Sequence, residues 1–136
     1  MRSFLDTNVL VYLADARNPR KQSIAEKYVE GAIAERLDCR ISFQTLTEFT
    51  NVCIKKLKLD KNVISVFLDY FDDLQMVRAD SVSVKNALEI KARYNIQFYD
   101  AMTISTASES GCDEILAEDL NDGQNYDGVV AHNPFK

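Results

Sequence analysis

Two hydrophobic periods alternate along this chain. Apolar runs of strand length occur at residues 2–5 and 40–43, at Gln75-Met76-Val77, at Ile115-Leu116-Ala117 and at Gly128-Val129-Val130-Ala131. Between them the spacing lengthens to that of helices. Asn8 to about Ala14 predicts a short helix. Pro19 opens a longer one at its first turn, with Ile24, Tyr28 and Ala32 or Ile33 inward, fading near Leu37. Gln44 to Leu57 carries Leu46, Phe49, Cys53, Ile54 and Leu57 on one stripe, and Asn62 to about Phe71 carries Val63, Ile64, Phe67, Leu68 and Phe71. Ser81 to about Tyr94 begins with a hydroxyl cap, and Asp100 to Ser110 is a helix of small residues that stops at Gly111. Strands alternating with helices predict an α/β sandwich around a mainly parallel sheet of four or five strands.

Composition adds boundaries to that picture. A chain of 136 residues, 46% hydrophobic, forms one domain (residues 1–136) with material for a full core. No apolar run reaches the roughly 18 residues of a membrane span, and Asp6 interrupts the apolar start that a signal peptide needs. Cys39, Cys53 and Cys112 are odd in number and widely spaced, which reads as buried, reduced thiols of a cytoplasmic protein. The formal charge of −5 argues against general affinity for nucleic acid. Basic residues nevertheless cluster at Arg17, Arg20 and Lys21 and again at Lys55, Lys56, Lys58 and Lys61. They are solvated helix ends on the plain reading; on the functional one, Arg17, Arg20, Lys55 and Lys56 contact phosphate.

Four acids, Asp6, Glu48, Asp100 and Asp119, carry the candidate chemistry. Asp6 and Asp119 follow apolar strands, and ligands of open α/β sheets bind at the carboxyl ends of strands. Carboxylates crowded there repel by roughly several kcal/mol per close pair, which a divalent cation relieves. Oxygen donors without histidine or thiolate select Mg²⁺ or Mn²⁺ over zinc. Each acid also has a structural reading. Asp6, Thr7 and Asn8 are all able to cap a helix. Asp100 shares a stripe with Ile104, Ala107 and Gly111, facing core or cleft at a helix N-terminus that favours an anion. Glu48 projects opposite its helix's apolar stripe and reads as a surface residue. Asp119 lies in a turn-rich stretch, Glu118 to Gly123, where acids are common and EF-hand spacing is absent.

The segments around these acids resemble the motifs of PIN-domain nucleases. Phe4-Leu5-Asp6-Thr7-Asn8-Val9-Leu10-Val11-Tyr12 resembles their opening, Thr47-Glu48-Phe49 their second motif, and Phe98-Tyr99-Asp100-Ala101-Met102 their third. Leu116 to Gln124 is similar to the fourth, and Asn133-Pro134-Phe135 to a common ending. The resemblance spans essentially the whole chain and points to VapC-like toxins of type II toxin–antitoxin modules. It implies a PIN-like three-layer sandwich, Mg²⁺- or Mn²⁺-dependent cleavage of RNA, a homodimer, and a small antitoxin that inserts into the active-site groove. It carries acidic roles onto Asp6, Glu48, Asp100 and Asp119, with the main cation on Asp6 and Asp100 and Thr7 in support. For Glu48 it overrides the surface reading. Asn8 stands beside this set, and Glu118 or Asp122 could replace Asp119 or share the metal through water.

Competing readings fare worse. A phosphatase of haloacid-dehalogenase type wants a second Asp two positions after the first, where this chain has Asn8. A receiver domain wants paired acids after the first strand. Nucleophile elbows, P-loops and dinucleotide fingerprints are absent, and the single histidine, His132, reads as structural or exposed. The non-enzymatic alternative is a catalytically silent α/β module that binds metal or protein.

Overall fold

The computed structural model describes residues 1–136. Six strands, β1 (Arg2–Leu5), β2 (Asp38–Ser42), β3 (Gln75–Val77), β4 (Glu114–Leu116), β5 (Asn125–Tyr126) and β6 (Val129–His132), form one sheet in the order β3-β2-β1-β4-β6-β5. All neighbours are parallel except β5 and β6. Six helices flank it: α1 (Thr7–Ala14), α2 (Pro19–Ile33), α3 (Phe43–Lys55), α4 (Lys61–Phe71), α5 (Ser81–Tyr94) and α6 (Phe98–Glu109). The expected three-layer α/β sandwich is therefore present. Its sheet has one strand more than expected, because β5 is two residues long and shows no alternation to read.

Alternation inside β1 divides the core. Phe4 and Leu5 are both fully buried yet point to opposite faces, as a strand covered on both sides requires. Leu5 packs with Val9, Leu10, Phe49, Cys53 and Phe71 beneath α1–α4, while Phe4 packs with Ile90, Ala101, Ile104 and Ala107 beneath α5 and α6. Phe49 anchors the first layer, meeting Phe71 edge-on at 5.0 Å and Phe67 at 6.0 Å. In the second layer the small residues of α6 permit close packing, and Ser105 Oγ donates to the Ser83 carbonyl of α5 at 2.8 Å. The three cysteines are buried and free, and burial pushes each thiol up to about 11, so they pack as inert apolar groups.

Helix ends show where capping chemistry redraws the expected boundaries. Asp80, not a hydroxyl, caps α5, accepting from Val82 and Ser83 N–H at 2.9 and 3.2 Å. Helix α2 stops at Ile33 rather than near Leu37, because Arg36 and Leu37 N–H both turn back to the Gly31 carbonyl and Glu35 adopts φ 60. Helix α6 begins at Phe98, which sets Asp100 inside its first turn. No helix is long and apolar enough to cross a membrane.

The strand order creates the site. The chain lays β1, β2 and β3 outward in one direction, then returns to place β4 on the other side of β1. Leu5 pairs with Leu116, and Asp6 N–H donates to the Leu116 carbonyl at 3.1 Å. The segments leaving β1 and β4 therefore diverge from adjacent points, the crevice where open α/β sheets bind ligands. The aromatic layer under α3 holds one wall of that crevice. Phe49→Ala is expected to destabilise the protein by about 3–5 kcal/mol, the range for truncating a buried Phe; urea denaturation of both proteins measures it, and a loss near zero would contradict this packing.

Candidate active site

Asp6 occupies the N-cap position of α1, yet its carboxylate makes no capping bond. The structural reading of Asp6 thus fails on its main requirement, and the side chain is left to the crevice. That crevice, about 550 Å³, is lined by Asp6, Thr7, Glu48, Asp100, Glu118 and Asp119 among others. All four acids singled out in the sequence converge there, from the ends of β1 and β4, the middle of α3 and the first turn of α6.

Electrostatics record the crowding. Burial pushes the Asp6 carboxyl up to about 7; the adjacent Thr7 N–H opposes this, and the charges of Glu48, Asp100 and Asp119 add to it. Asp100 is raised too, first by burial and then by Asp119 and Glu48. Asp6 and Asp100 are thus each within range of the charges of Glu48 and Asp119.

Glu48 corrects the surface reading drawn from periodicity. Its oxygens accept from Thr7 Oγ1 at 3.0 Å and from Gln44 Nε2 at 2.5 Å. While Phe49 and Cys53 enter the core, the opposite stripe of α3 lines the cleft and the recess beside it. A signal for this does exist in the sequence. Gln44, Thr47, Glu48 and Asn51 repeat at i, i+3, i+4 and i+7, a stripe of amides and hydroxyls where a solvent face would carry lysines and glutamates.

The three acids of the post-β4 segment separate by partner. Tyr12 OH donates to Glu118 Oε1 at 2.6 Å, and Lys21 Nζ donates to Glu118 Oε2 at 2.5 Å and to the Tyr12 oxygen at 3.0 Å. Lys21 also lies over the Tyr12 ring, 4.6 Å from its centre. Burial alone would raise Glu118, but the Lys21 and Tyr12 bonds bring it below its ordinary value. Both Glu118 oxygens are thus engaged in a closed ring at the cleft wall. Asp122 lies outside the cleft and fastens the C-terminal segment, accepting from Asn133 N–H at 2.8 Å and pairing with Lys136 at 3.3 Å and His132 at 3.6 Å. Asp119 takes part in none of these bonds. Asn8 lines the cleft and receives the Glu118 N–H at 3.5 Å, a long contact.

Of the four proposed phosphate cations, only Arg17 and Lys56 line the cleft. Arg17 is braced by Asp15 through contacts of 2.8 and 2.9 Å. Arg20 instead donates to the Phe135 carbonyl at 2.8 Å, and Lys55 is exposed outside the lining. Sequence reasoning missed the roles of Tyr12 and Lys21, whose partner Glu118 lies 106 and 97 positions away and leaves no local pattern, and that of Gln44, whose contact with Glu48 is local. A separate hollow of about 730 Å³ at the opposite end of the strands, beside Ser3, Arg40 and Glu114, contains none of the four acids.

The donor set fits a hard divalent cation by its chemistry, anionic oxygens with no nitrogen or sulfur among them. No three of them close onto one point as they stand. Such a set suits an ion held by one or two carboxylates with the rest of its shell water, the habit of Mg²⁺.

A model of the PIN domain matches residues 3–121. The chain belongs to the PIN-domain family. Among solved structures, this PIN domain is similar to a toxin–antitoxin complex from Klebsiella pneumoniae (18% identity, TM-score 0.69, 97% of each chain covered). It is also similar to VapC20 of Mycobacterium tuberculosis, a sarcin–ricin-loop-cleaving toxin (16% identity, TM-score 0.68, 88% of this chain and 91% of that one). A third is DNA-bound VapBC from Salmonella typhimurium (19% identity, TM-score 0.70, 98% of each chain). At these identities the likeness establishes a shared fold. No curated protein matches the sequence significantly.

The half-buried Asp6 of this PIN domain makes stability depend on pH in a defined direction. Without metal, native Asp6 keeps its proton to about pH 7, whereas the unfolded chain releases it near 3.8. In that window the native state binds more protons, so stability falls as pH rises and levels off above about 7. Asp6→Asn is expected to flatten this decline and to exceed wild type above pH 7 in EDTA by on the order of 1–3 kcal/mol. Urea titrations across that range test it; parallel curves for the two proteins would remove the assigned cause.

Proposed function

We propose that this PIN domain is a metal-dependent endoribonuclease, the toxin of a toxin–antitoxin pair restrained by a cognate antitoxin. The observation that carries the reading is the convergence of Asp6, Glu48, Asp100 and Asp119 in one crevice, with Asp6 raised to about 7 by burial and by the other three. Family membership and the likeness to VapC and VapBC structures support it.

Asp6 and Asp100 hold the cation, and Glu48 and Asp119 complete its surroundings directly or through water. Mg²⁺ or Mn²⁺ bound there supplies positive charge for the phosphoryl oxygens and makes water more acidic. The protein's own groups do the positioning. Thr7 and Gln44 fix both oxygens of Glu48, so its carboxylate holds its place before substrate arrives. The ring of Tyr12, Lys21 and Glu118 anchors the segment that carries Asp119. Arg17 and Lys56 meet the RNA backbone from the cleft edge. Water attacks phosphorus in line and the sugar 3′ oxygen departs, leaving a 5′-phosphate and a 3′-hydroxyl. His132 is engaged with Asp122 outside the cleft and is not the base. A homodimer and a cytoplasmic site of action belong to the same proposal.

Cleavage of a fluorescent RNA by the purified chain is expected to require Mg²⁺ or Mn²⁺ and to stop in EDTA. Asp100→Asn should lower the rate by at least roughly 100-fold, since even outer partners of a metal site cost up to that much. Growth arrest on expression should be relieved by the same substitution. EDTA-resistant cleavage, or an Asp100→Asn protein as active as wild type, would return the chain to the silent binding module.

A further inference from the structure

Beside the acids, the cleft opens into a recess of about 420 Å³ with a different chemistry. Its lining is Gln44, Thr47, Glu48, Asn51, Gln97 and Tyr99, with no lysine or arginine. Tyr99 is 61% exposed, an unusual position for a ring of this size next to a charged crevice. It is nonetheless held at its base. Its carbonyl accepts from Gln44 Nε2 at 3.3 Å and from Thr103 Oγ1 at 3.1 Å, and its ring meets Phe98 edge-on at 5.7 Å. Gln97 stands at the N-cap of α6 without a side-chain capping bond, and Asn51 is exposed on the same stripe of α3 as Glu48. Amides left unspent by the fold present a donor and an acceptor side by side.

A phosphate is recognised by cations, which this recess lacks. An exposed, anchored aromatic face with neutral amides at its edge matches an unpaired base, whose π-face stacks and whose edge takes paired hydrogen bonds. We propose that the recess is a nucleobase subsite, in which Tyr99 stacks on one unpaired base of single-stranded RNA and Asn51 and Gln97 bond that base's edge. The inference rests on the ribonuclease reading for its choice of polymer. The cleft then has two ends along α3: bases are read near Gln44, and the backbone is met near Lys56, about 18 Å away at the helical rise.

Fluorescence anisotropy in Mg²⁺ tests this, with every protein also carrying Asp100→Asn so that the RNA stays intact. The probes are labelled oligo-adenylate, oligo-uridylate and an abasic ribose-phosphate strand of equal length. Tyr99→Ala should weaken binding of the base-bearing strands about tenfold, the scale of one stacked base, and leave the abasic strand unchanged. Tyr99→Phe, which keeps the ring, should bind like the parent. Asn51→Ala with Gln97→Ala should narrow the difference between adenylate and uridylate. Equal losses on abasic and base-bearing strands, or no loss with Tyr99→Ala, overturn the subsite; the latter is also the result if the recess receives a protein segment. Wild-type cleavage assayed alongside separates the two readings. A base-dependent Tyr99 effect without metal-dependent cleavage keeps the subsite and removes the nuclease; cleavage with no Tyr99 effect removes the subsite and keeps the nuclease.

Discussion

Desolvation of carboxylates gathered in one crevice, with their mutual repulsion added to it, is the constraint around which this site is organised. Like charges at close range separate if the backbone lets them, so a site of this kind needs walls that do not yield. Here the walls are the ends of two adjacent parallel strands, the middle of α3 and the first turn of α6, each backed by a packed layer. The backbone bond from Asp6 to Leu116 ties the two strand exits together where Asp6 and the segment carrying Asp119 enter the crevice. Asp100 gains some relief from the dipole of its own helix, since the first turn favours an anion. Asp6 has little beyond the Thr7 N–H, and its carboxyl is raised first by desolvation and then by the neighbouring charges. On the proposed reading, protons and divalent cations compete for it.

The acids of this region are not equivalent, and their partners rank them. Glu118 is spent on Lys21 and Tyr12, Asp122 on the C-terminal segment, and Glu48 on Thr7 and Gln44. These bonds fix orientation and, for Glu118, supply a neutralising cation. Asp6, Asp100 and Asp119 lack such a partner, which leaves their oxygens available to an exogenous charge. The distinction between carboxylates engaged by the protein and carboxylates left free thus follows from hydrogen-bond satisfaction, a property that depends on residues far apart in the chain.

That dependence explains what could be read from the sequence. The layered α/β fold was legible because strand and helix periods survive in short windows: Phe4-Leu5, Ile115-Leu116 and the Phe49–Cys53 stripe all behave as their spacing implies. Asp6 and Asp119 were legible as strand-end acids, and Asp100 as an acid in a first helical turn. Glu48 was not, since periodicity says which face leaves the core but not whether a second wall stands opposite. Only the motif resemblance placed it with the others. The separation of Glu118 and Asp122 from Asp119 was also hidden, as was the diversion of Arg20 to the Phe135 carbonyl. Two-residue β5 and the Asp80 cap failed for a local reason: one is shorter than a period, and the other competes with an adjacent serine of equal capping ability.

On the proposed ribonuclease reading, an acidic chain that meets an anionic polymer has to concentrate its few useful cations. The formal charge of −5 does not prevent this, because range is limited by screening to about 8–10 Å at ordinary ionic strength. What a phosphate would meet is the local balance: Arg17 and Lys56 against six carboxylates in the lining, of which Asp15 is paired with Arg17 and Glu118 with Lys21. On that reading, the metal-free crevice repels a polyanion and a bound divalent cation lessens that repulsion. Cation binding would then alter substrate affinity as well as reactivity. The recess at Tyr99 holds no lysine or arginine and shares Glu48 with the crevice, so the proposed base contacts there rest on stacking and amide hydrogen bonds instead of on cations.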